Sequence, residues 1–155
     1  MKIIGVTGGV GSGKTELLHY IEKNYRCRIL LADEASHEVM QKGGRIYEPL
    51  VALLGSSVLD SSGEINRKEM AARIFSHEEL LGRVNALIHP AVREFILEAV
   101  AEEREKATVG ADDAVDYFFL EAALLIECGY RSVVDEMCYI YCDLAVRRER
   151  LKKSR

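Results

Sequence analysis

Short apolar runs alternate with longer amphipathic segments along this sequence. Four runs are almost continuously apolar and have the length of strands, at residues 2–7, 28–31, 117–120 and 137–142. Such runs are typical of parallel strands whose two faces are both covered by helices. A helical pattern over residues 14–23 separates the first two runs. The pattern therefore predicts an α/β fold with a parallel sheet.

The chain between the second and third predicted strands has a wholly helical pattern. Helices are expected over residues 33–41 and 45–54, each closely followed by glycine, and a shorter one through Phe75 that Asn66 caps. This region predicts a helical insertion between strands 2 and 3, packed beside the sheet.

Two more amphipathic helices are expected further along the insertion. Residues 76–79, Ser-His-Glu-Glu, have the spacing of a capping box, and Pro90 suits the first residue of a second helix. The acidic, glycine-containing stretch 102–116 is expected to be the loop that returns to the sheet.

These elements divide the chain into two parts. We expect residues 1–32 and 117–155 to form the sheet-based core, and residues 33–116 to form the insertion and its return loop. A last helix, rich in arginine and lysine, is expected to begin near Leu144. No helix-stop residue follows it, which predicts that the natural chain continues beyond Arg155.

Composition narrows the class of protein. Of the 155 residues, 48% are hydrophobic and 30% charged, an ordinary globular mixture. The net charge of −4 argues against nucleic acid or an anionic membrane as the main partner. No apolar run approaches the ~20 residues that span a bilayer, and the N-terminus has the pattern of a strand and not of a signal peptide. A cytoplasmic protein is expected, and its oligomeric state stays open.

The four cysteines do not have the spacing of a metal or redox site. Cys27, Cys128, Cys138 and Cys142 contain no C-x-x-C pair. Because their surroundings are apolar, we expect reduced and buried thiols.

The strongest chemical signal is the octapeptide GGVGSGKT at residues 8–15, which matches G-x-x-x-x-G-K-[ST] in full. Glycines let the backbone turn its N–H groups toward phosphate oxygens, and the helix that follows adds its positive N-terminal end. The Lys14 ammonium suits β- and γ-phosphates, and the Thr15 hydroxyl suits Mg²⁺. A strand enters the motif and a helix leaves it, so the sequence predicts a site for a nucleoside triphosphate.

Asp33 lies at the carboxyl end of the second predicted strand. The carboxyl ends of parallel strands face the ligand crevice, so its carboxylate could accept a proton from an attacking hydroxyl or help to hold Mg²⁺. Asp at this position is equally consistent with the cap of the following helix. The residue pattern alone leaves both interpretations open.

Five further polar residues have ordinary structural explanations when each is taken alone. They are the helix-start Arg67, the His-Pro residue His89, the helical His37, and the two acidic residues Glu121 and Glu127. A cap or a solvated surface is favoured for His89, His37 and Arg67, whereas Glu121 and Glu127 could each face the crevice or cap a turn.

Taken together, these motifs resemble the dephospho-coenzyme A kinase family. The resemblance rests on an ordered set of segments along nearly the whole chain: VTGGVGSGK at 6–14, AD at 32–33, GEINR at 63–67, NALIHP at 85–90 and LLIE at 124–127. The family phosphorylates the ribose 3′-hydroxyl of dephospho-CoA with ATP to give coenzyme A. The resemblance thus implies a three-layer α/β/α P-loop kinase fold, ATP and Mg²⁺ as cofactors, and a small-molecule substrate.

The resemblance also implies roles for individual residues. It favours Asp33 as the general base, makes Arg67 and His89 substrate-side residues, and makes Arg150 a source of positive charge on the transferring phosphoryl group. With Lys14 and Asp33, Arg150 completes the expected catalytic set. The expected ATP-binding residues are Gly11, Ser12, Gly13, Lys14, Thr15 and Glu16, with Thr15 also the metal ligand.

Family members continue past the last residue of this sequence through a basic lid, which the chain is therefore expected to lack in part. Two alternatives to the family activity stay open from the sequence. One is a P-loop kinase that acts on another small metabolite or a nucleotide, and the other is a non-catalytic ATP-binding module. A nucleic-acid-dependent NTPase fits the negative net charge poorly.

Overall fold

Four parallel strands form one sheet in the computed structural model, which describes residues 1–75, 77–123, 125 and 129–153. The strands are β1 (Lys2–Thr7), β2 (Cys27–Leu31), β3 (Tyr117–Glu121) and β4 (Glu136–Tyr139), in the order β2-β3-β1-β4. In the register of the sheet, Phe119 of β3 lies opposite both Ile4 of β1 and Ile29 of β2. The predicted parallel sheet is confirmed, although β4 ends at Tyr139 and not at residue 142.

Helices cover both faces of this sheet, which gives the predicted three layers. On one face, Leu18 and Ile21 of α1 (Lys14–Asn24) pack with Val6 and Phe119 in a buried cluster. The opposite face carries Phe118, and the guanidinium of Arg28 lies over its ring, 5.9 Å from the centroid.

That guanidinium connects the second face to a long helix, α5 (Glu78–Val109). Arg28 Nη1 donates to Oε2 of Glu102 at 3.0 Å and to Oε1 of Glu103 at 2.9 Å. Glu103 is buried and also pairs with Lys106. The ion-pair cluster therefore fixes the second half of α5 against β2.

The chain divides into two compact units. The first contains the sheet and comprises Met1–Ala32 and Glu98–Arg155, and the second comprises Asp33–Leu97. The second unit holds most of α2 (Ala32–Met40), all of α3 (Tyr47–Leu54) and α4 (Arg67–Phe75), and the first part of α5. The predicted helical insertion between β2 and β3 is confirmed.

One continuous helix, α5, stands where two helices and the start of a loop were predicted. Buried residues continue in one register on both sides of Pro90, from Val84 through Val92 and Ile96 to Val100. A single helix buries this whole stripe, whereas Pro90 itself is exposed and removes only one backbone donor. The prediction of a loop over residues 102–116 is therefore wrong for residues 102–109, which belong to α5.

Among the smaller predictions, the cap of α4 is confirmed. Asn66 Oδ1 accepts from the backbone N–H of Lys68 at 3.1 Å and of Glu69 at 3.2 Å. The predicted capping box includes Ser76, which lies outside the described residues.

The expectation of buried cysteines is wrong for Cys138. This residue lies on the edge strand β4 and is exposed, while Cys27 and Cys142 are partly buried. Cys128 lies outside the described residues. None of the helices in the described part of the chain is both long and apolar enough to cross a membrane.

Candidate nucleotide site

The motif at residues 8–15, hereafter the phosphate loop, connects the carboxyl end of β1 to the N-terminus of α1. Gly11 and Gly13 have φ values of 77° and 100°, which lie in the left-handed region where a side chain is strained. The Ser12 N–H donates to Gly9 O at 3.1 Å and closes the turn. The glycines are thus required for the path of the backbone, as the motif predicts.

Lys14 projects from the first turn of α1 back over the loop. Its Nζ donates to Gly8 O at 2.8 Å and lies 3.6 Å from Oε1 of Glu121. Both side chains are mostly buried, and Glu121 lies opposite Val6 at the carboxyl edge of the sheet. Glu121, whose role the sequence left open, therefore faces the phosphate loop.

The hydroxyl of Ser12 is the one polar side-chain group of the loop that is buried without a hydrogen-bond partner among the described residues. Thr15 and Glu16 are exposed in the first turn of α1. A cavity of about 680 Å³ is lined by residues 11–16 together with Arg150, Leu151 and Lys153. All six expected ATP-binding residues thus line one cavity.

The basic helix α6 (Leu144–Lys153) lies across the phosphate loop. Arg150 Nη1 donates to Gly11 O at 3.2 Å, and Arg147 Nε donates to Val10 O at 2.8 Å. Arg150 was expected at this site from the family resemblance. Arg147 was missed, although its spacing of three residues from Arg150 places both on one face of a helix.

Asp33, Arg67 and His89 belong to the second unit. Helix α2 begins directly after β2, and Asp33 is its second residue. Asp33 therefore does not occupy the cap position that the sequence left open. Arg67 is the first residue of α4, and His89 lies within α5. All three are exposed, as is His37. Glu127 lies outside the described residues.

The phosphate loop suits a polyphosphate chain. In a loop of this kind the backbone N–H groups converge on an anion, and the N-terminus of α1 adds a partial positive charge. Lys14 supplies a full charge, and the Ser12 hydroxyl has hydrogen-bonding capacity that no described residue uses. The residues present therefore fit a nucleoside triphosphate and, through the exposed Thr15 hydroxyl, its Mg²⁺ ion.

Comparison with known proteins gives a consistent result. The profile of the dephospho-CoA kinase (CoaE) family matches residues 2–155. The dephospho-CoA kinase of Streptococcus mutans serotype c is 33% identical over 153 residues, which cover 98% of this chain and 72% of that protein. The dephospho-CoA kinase of Dehalococcoides mccartyi is 35% identical over 140 residues, which cover 90% of this chain and 66% of that protein.

Two solved structures share the fold. TT1252 from Thermus thermophilus superposes with a TM-score of 0.76 at 25% identity, over 98% of this chain and 71% of that one. The dephospho-CoA kinase from Campylobacter jejuni superposes with a TM-score of 0.64 at 15% identity, over 99% of this chain and 95% of that one. With the family profile matched along nearly the whole sequence, the chain belongs to the dephospho-CoA kinase family.

Proposed function

We propose that this chain transfers the γ-phosphoryl group of ATP to the ribose 3′-hydroxyl of dephospho-CoA and so forms coenzyme A. The observation that carries the proposal is the complete phosphate loop, in which the Lys14 ammonium turns back to Gly8 O, in a chain whose family is named for this reaction. Phosphoryl transfer of this type needs positioning and charge stabilisation and no covalent intermediate on the enzyme.

The phosphate loop and Lys14 bind the phosphates in this mechanism. The backbone N–H groups of the loop and the hydroxyl of Ser12 donate to phosphate oxygens. The Lys14 ammonium exchanges Gly8 O, 2.8 Å away, for the β- and γ-phosphates. Glu121, 3.6 Å from Lys14, orients the ammonium. These contacts stabilise the charge that develops on the transferring group.

The metal ion is assigned to Thr15. Its exposed hydroxyl, in the first turn of α1, would hold Mg²⁺, which neutralises charge on the β- and γ-phosphates when it is bound. Glu16, in the same turn, lines the cavity beside it.

Asp33 is assigned as the general base. It accepts the proton of the ribose 3′-hydroxyl as that oxygen attacks the γ-phosphorus atom, while the bond from this atom to the β,γ-bridging oxygen breaks and ADP leaves. A positioned carboxylate of this kind contributes ~10²–10⁴-fold to the rate. Its carboxylate makes no hydrogen bond or ion pair with the described part of the chain, which supports its availability. Arg67 and His89 are assigned to the binding of dephospho-CoA.

Arg150 is assigned to the donor side of the reaction. Its guanidinium lies at the wall of the cavity next to residues 11–16, where it can add positive charge to the transferring phosphoryl group. An arginine in this role is worth ~10³-fold or more in rate.

The test is an incubation of the chain with Mg-ATP and dephospho-CoA, followed by mass spectrometry of the acceptor. A product that is heavier by one phosphoryl group and co-elutes with coenzyme A is expected. Lys14→Ala should reduce turnover at least ~10²-fold, and Asp33→Asn should retain ATP binding but lose most turnover. Lys23→Ala, at the exposed end of the same helix, is the matched control and should leave turnover unchanged.

Two outcomes would contradict the proposal. Faster phosphorylation of nucleoside monophosphates than of dephospho-CoA would identify a different small-molecule kinase. ATP binding without phosphorylation of any of these acceptors would identify a binding module.

A further inference from the structure

Arg147 contacts the phosphate loop from the side of α6 through one hydrogen bond and a close approach to Gly9. Its guanidinium lies so close to Gly9 that a Cβ atom at this glycine would come within 2.3 Å of Cζ and Nη2 and 2.6 Å of Nη1. Its Nε donates to Val10 O at 2.8 Å. The guanidinium therefore rests directly on the backbone of the loop at two successive residues.

The Arg147 guanidinium occupies the space next to Gly9 where a side chain would begin. Gly9 is not among the glycines with positive φ, so its backbone conformation is open to alanine. The atoms that a Cβ would meet belong to the Arg147 guanidinium. A methyl group at position 9 would therefore have to displace the guanidinium, which is the far end of a flexible side chain.

Arg147 acts on the loop and not on the cavity. The residues of α6 in the described lining of the cavity are Arg150, Leu151 and Lys153, and Arg147 is not among them. The backbone of Arg147 also packs on the loop, because its carbonyl oxygen lies 3.2 Å from the Cβ position of Gly11. A glycine-rich loop has many accessible conformations, and a charge-assisted hydrogen bond to its carbonyl reduces them.

We propose that Arg147 is a positioning residue for nucleotide binding, which holds residues 9–11 in the conformation whose N–H groups converge on the phosphates. The proposal rests on the proposed function, since it assigns a further residue to the same ATP site. Arg147 does this as a hydrogen-bond donor packed against Gly9, and it makes no contact with the phosphates themselves.

The first experiment measures the dissociation constant of Mg-ATP for variants at position 147. One charge-assisted hydrogen bond corresponds to about a tenfold weaker affinity for Arg147→Ala. Arg147→Gln keeps an N–H donor without the charge and should retain most of the affinity. Arg148→Ala, exposed on the same helix, is the matched control and should bind like the wild type.

The same variants separate positioning from a direct charge effect. Recovery of affinity by Arg147→Lys but not by Arg147→Gln would assign the residue to the phosphates and overturn the proposal. In steady-state kinetics, the Arg147→Ala change should raise KM for ATP and leave KM for dephospho-CoA unchanged. Equal changes in both would indicate a general structural defect and would also overturn it.

The second experiment is a double-mutant cycle with Gly9→Ala. In the wild-type background the new methyl group displaces the guanidinium, so the loss of ATP affinity should be close to that of Arg147→Ala. In the Arg147→Ala background the space is free, so Gly9→Ala should cause no further loss. If Gly9→Ala caused the same loss of ATP affinity in both backgrounds, the two residues would be uncoupled and the proposal would be overturned.

The outcomes distinguish this proposal from the proposed function. A folded wild-type chain that does not bind Mg-ATP would refute both. If the wild-type chain binds Mg-ATP and both Arg147→Ala and Gly9→Ala bind it equally tightly, only the role of Arg147 is refuted and the proposed function stands.

Discussion

Replacing Arg28 by methionine tests how much the ion pairs of Arg28 with Glu102 and Glu103 stabilise the unit that contains the phosphate loop. The guanidinium has two carboxylate partners in very different environments. The Glu103 side chain is only 4% exposed, whereas the Glu102 side chain is 54% exposed. Methionine keeps an apolar side chain of similar length but removes the guanidinium that lies over Phe118, and with it the charge.

The expected loss follows from what the substitution leaves behind. Glu103 Oε2 already has no hydrogen-bond partner among the described residues, and Lys106 Nζ at 3.2 Å becomes the remaining cation beside Oε1. Breaking a fully buried pair costs ~3–5 kcal/mol. Because Arg28 is 33% exposed and Lys106 remains, we expect a loss of about 2 kcal/mol in the free energy of unfolding. This corresponds to a fall of roughly 4–8 °C in Tm.

Urea denaturation followed by circular dichroism measures this loss, with the slope of the transition as a check on two-state behaviour. Glu102→Gln removes the exposed partner of the same guanidinium and should cause a much smaller change. Adding Glu103→Met to Arg28→Met removes the buried charge and should recover most of the stability. Equal losses for Arg28→Met and Glu102→Gln, or a double variant no more stable than Arg28→Met, would refute the reasoning.

Three further predictions concern a helix cap, a glycine and an ion pair. Asn66→Ala should lower the free energy of unfolding by about 1 kcal/mol, because two N–H groups of α4 lose their acceptor; urea denaturation measures it. Gly11→Ala should weaken Mg-ATP binding in equilibrium dialysis, whereas Gly110→Ala, also at positive φ but with no neighbour within 4 Å, should lose stability only. The Lys106 ammonium holds the pKa of Asp113 below its ordinary value, so this pair stabilises the fold above about pH 4 and the contribution is lost as the pH falls further. The stability difference between wild type and Asp113→Asn should therefore narrow between about pH 6 and about pH 3, and a constant difference would contradict the pairing.

The parallel sheet and the phosphate loop could be predicted from sequence because both depend on local signals. Buried parallel strands appear as continuous apolar runs, and the loop requires glycine, lysine and threonine at fixed spacing. The positions of β1, β2 and β3 and the cap at Asn66 agree with the structure for the same reason, whereas β4 ends three residues before the predicted end. The roles of Lys14 and Asp33 in catalysis stay predictions.

The features that sequence reasoning missed depend on distant parts of the chain. Pro90 is a local signal for a helix start, but the buried stripe that continues from Val84 to Val100 favours one unbroken helix. Arg147 belongs to a run of basic residues that looks like an ordinary solvated helix end. Its contact with Gly9 joins positions that only the fold brings together.

The order of the strands also bears on how the protein is made. β1 occupies residues 2–7, yet its neighbours are β3 at residues 117–121 and β4 at residues 136–139. At ~5–20 residues per second of synthesis, the apolar N-terminal strand therefore waits on the order of ten seconds at the ribosome before its partners emerge. The contacts from Arg147 and Arg150 to the loop arrive later still. The phosphate loop is thus translated well before β3, β4 and the arginines that contact it, so the nucleotide site forms only after these slow, long-range contacts have been made.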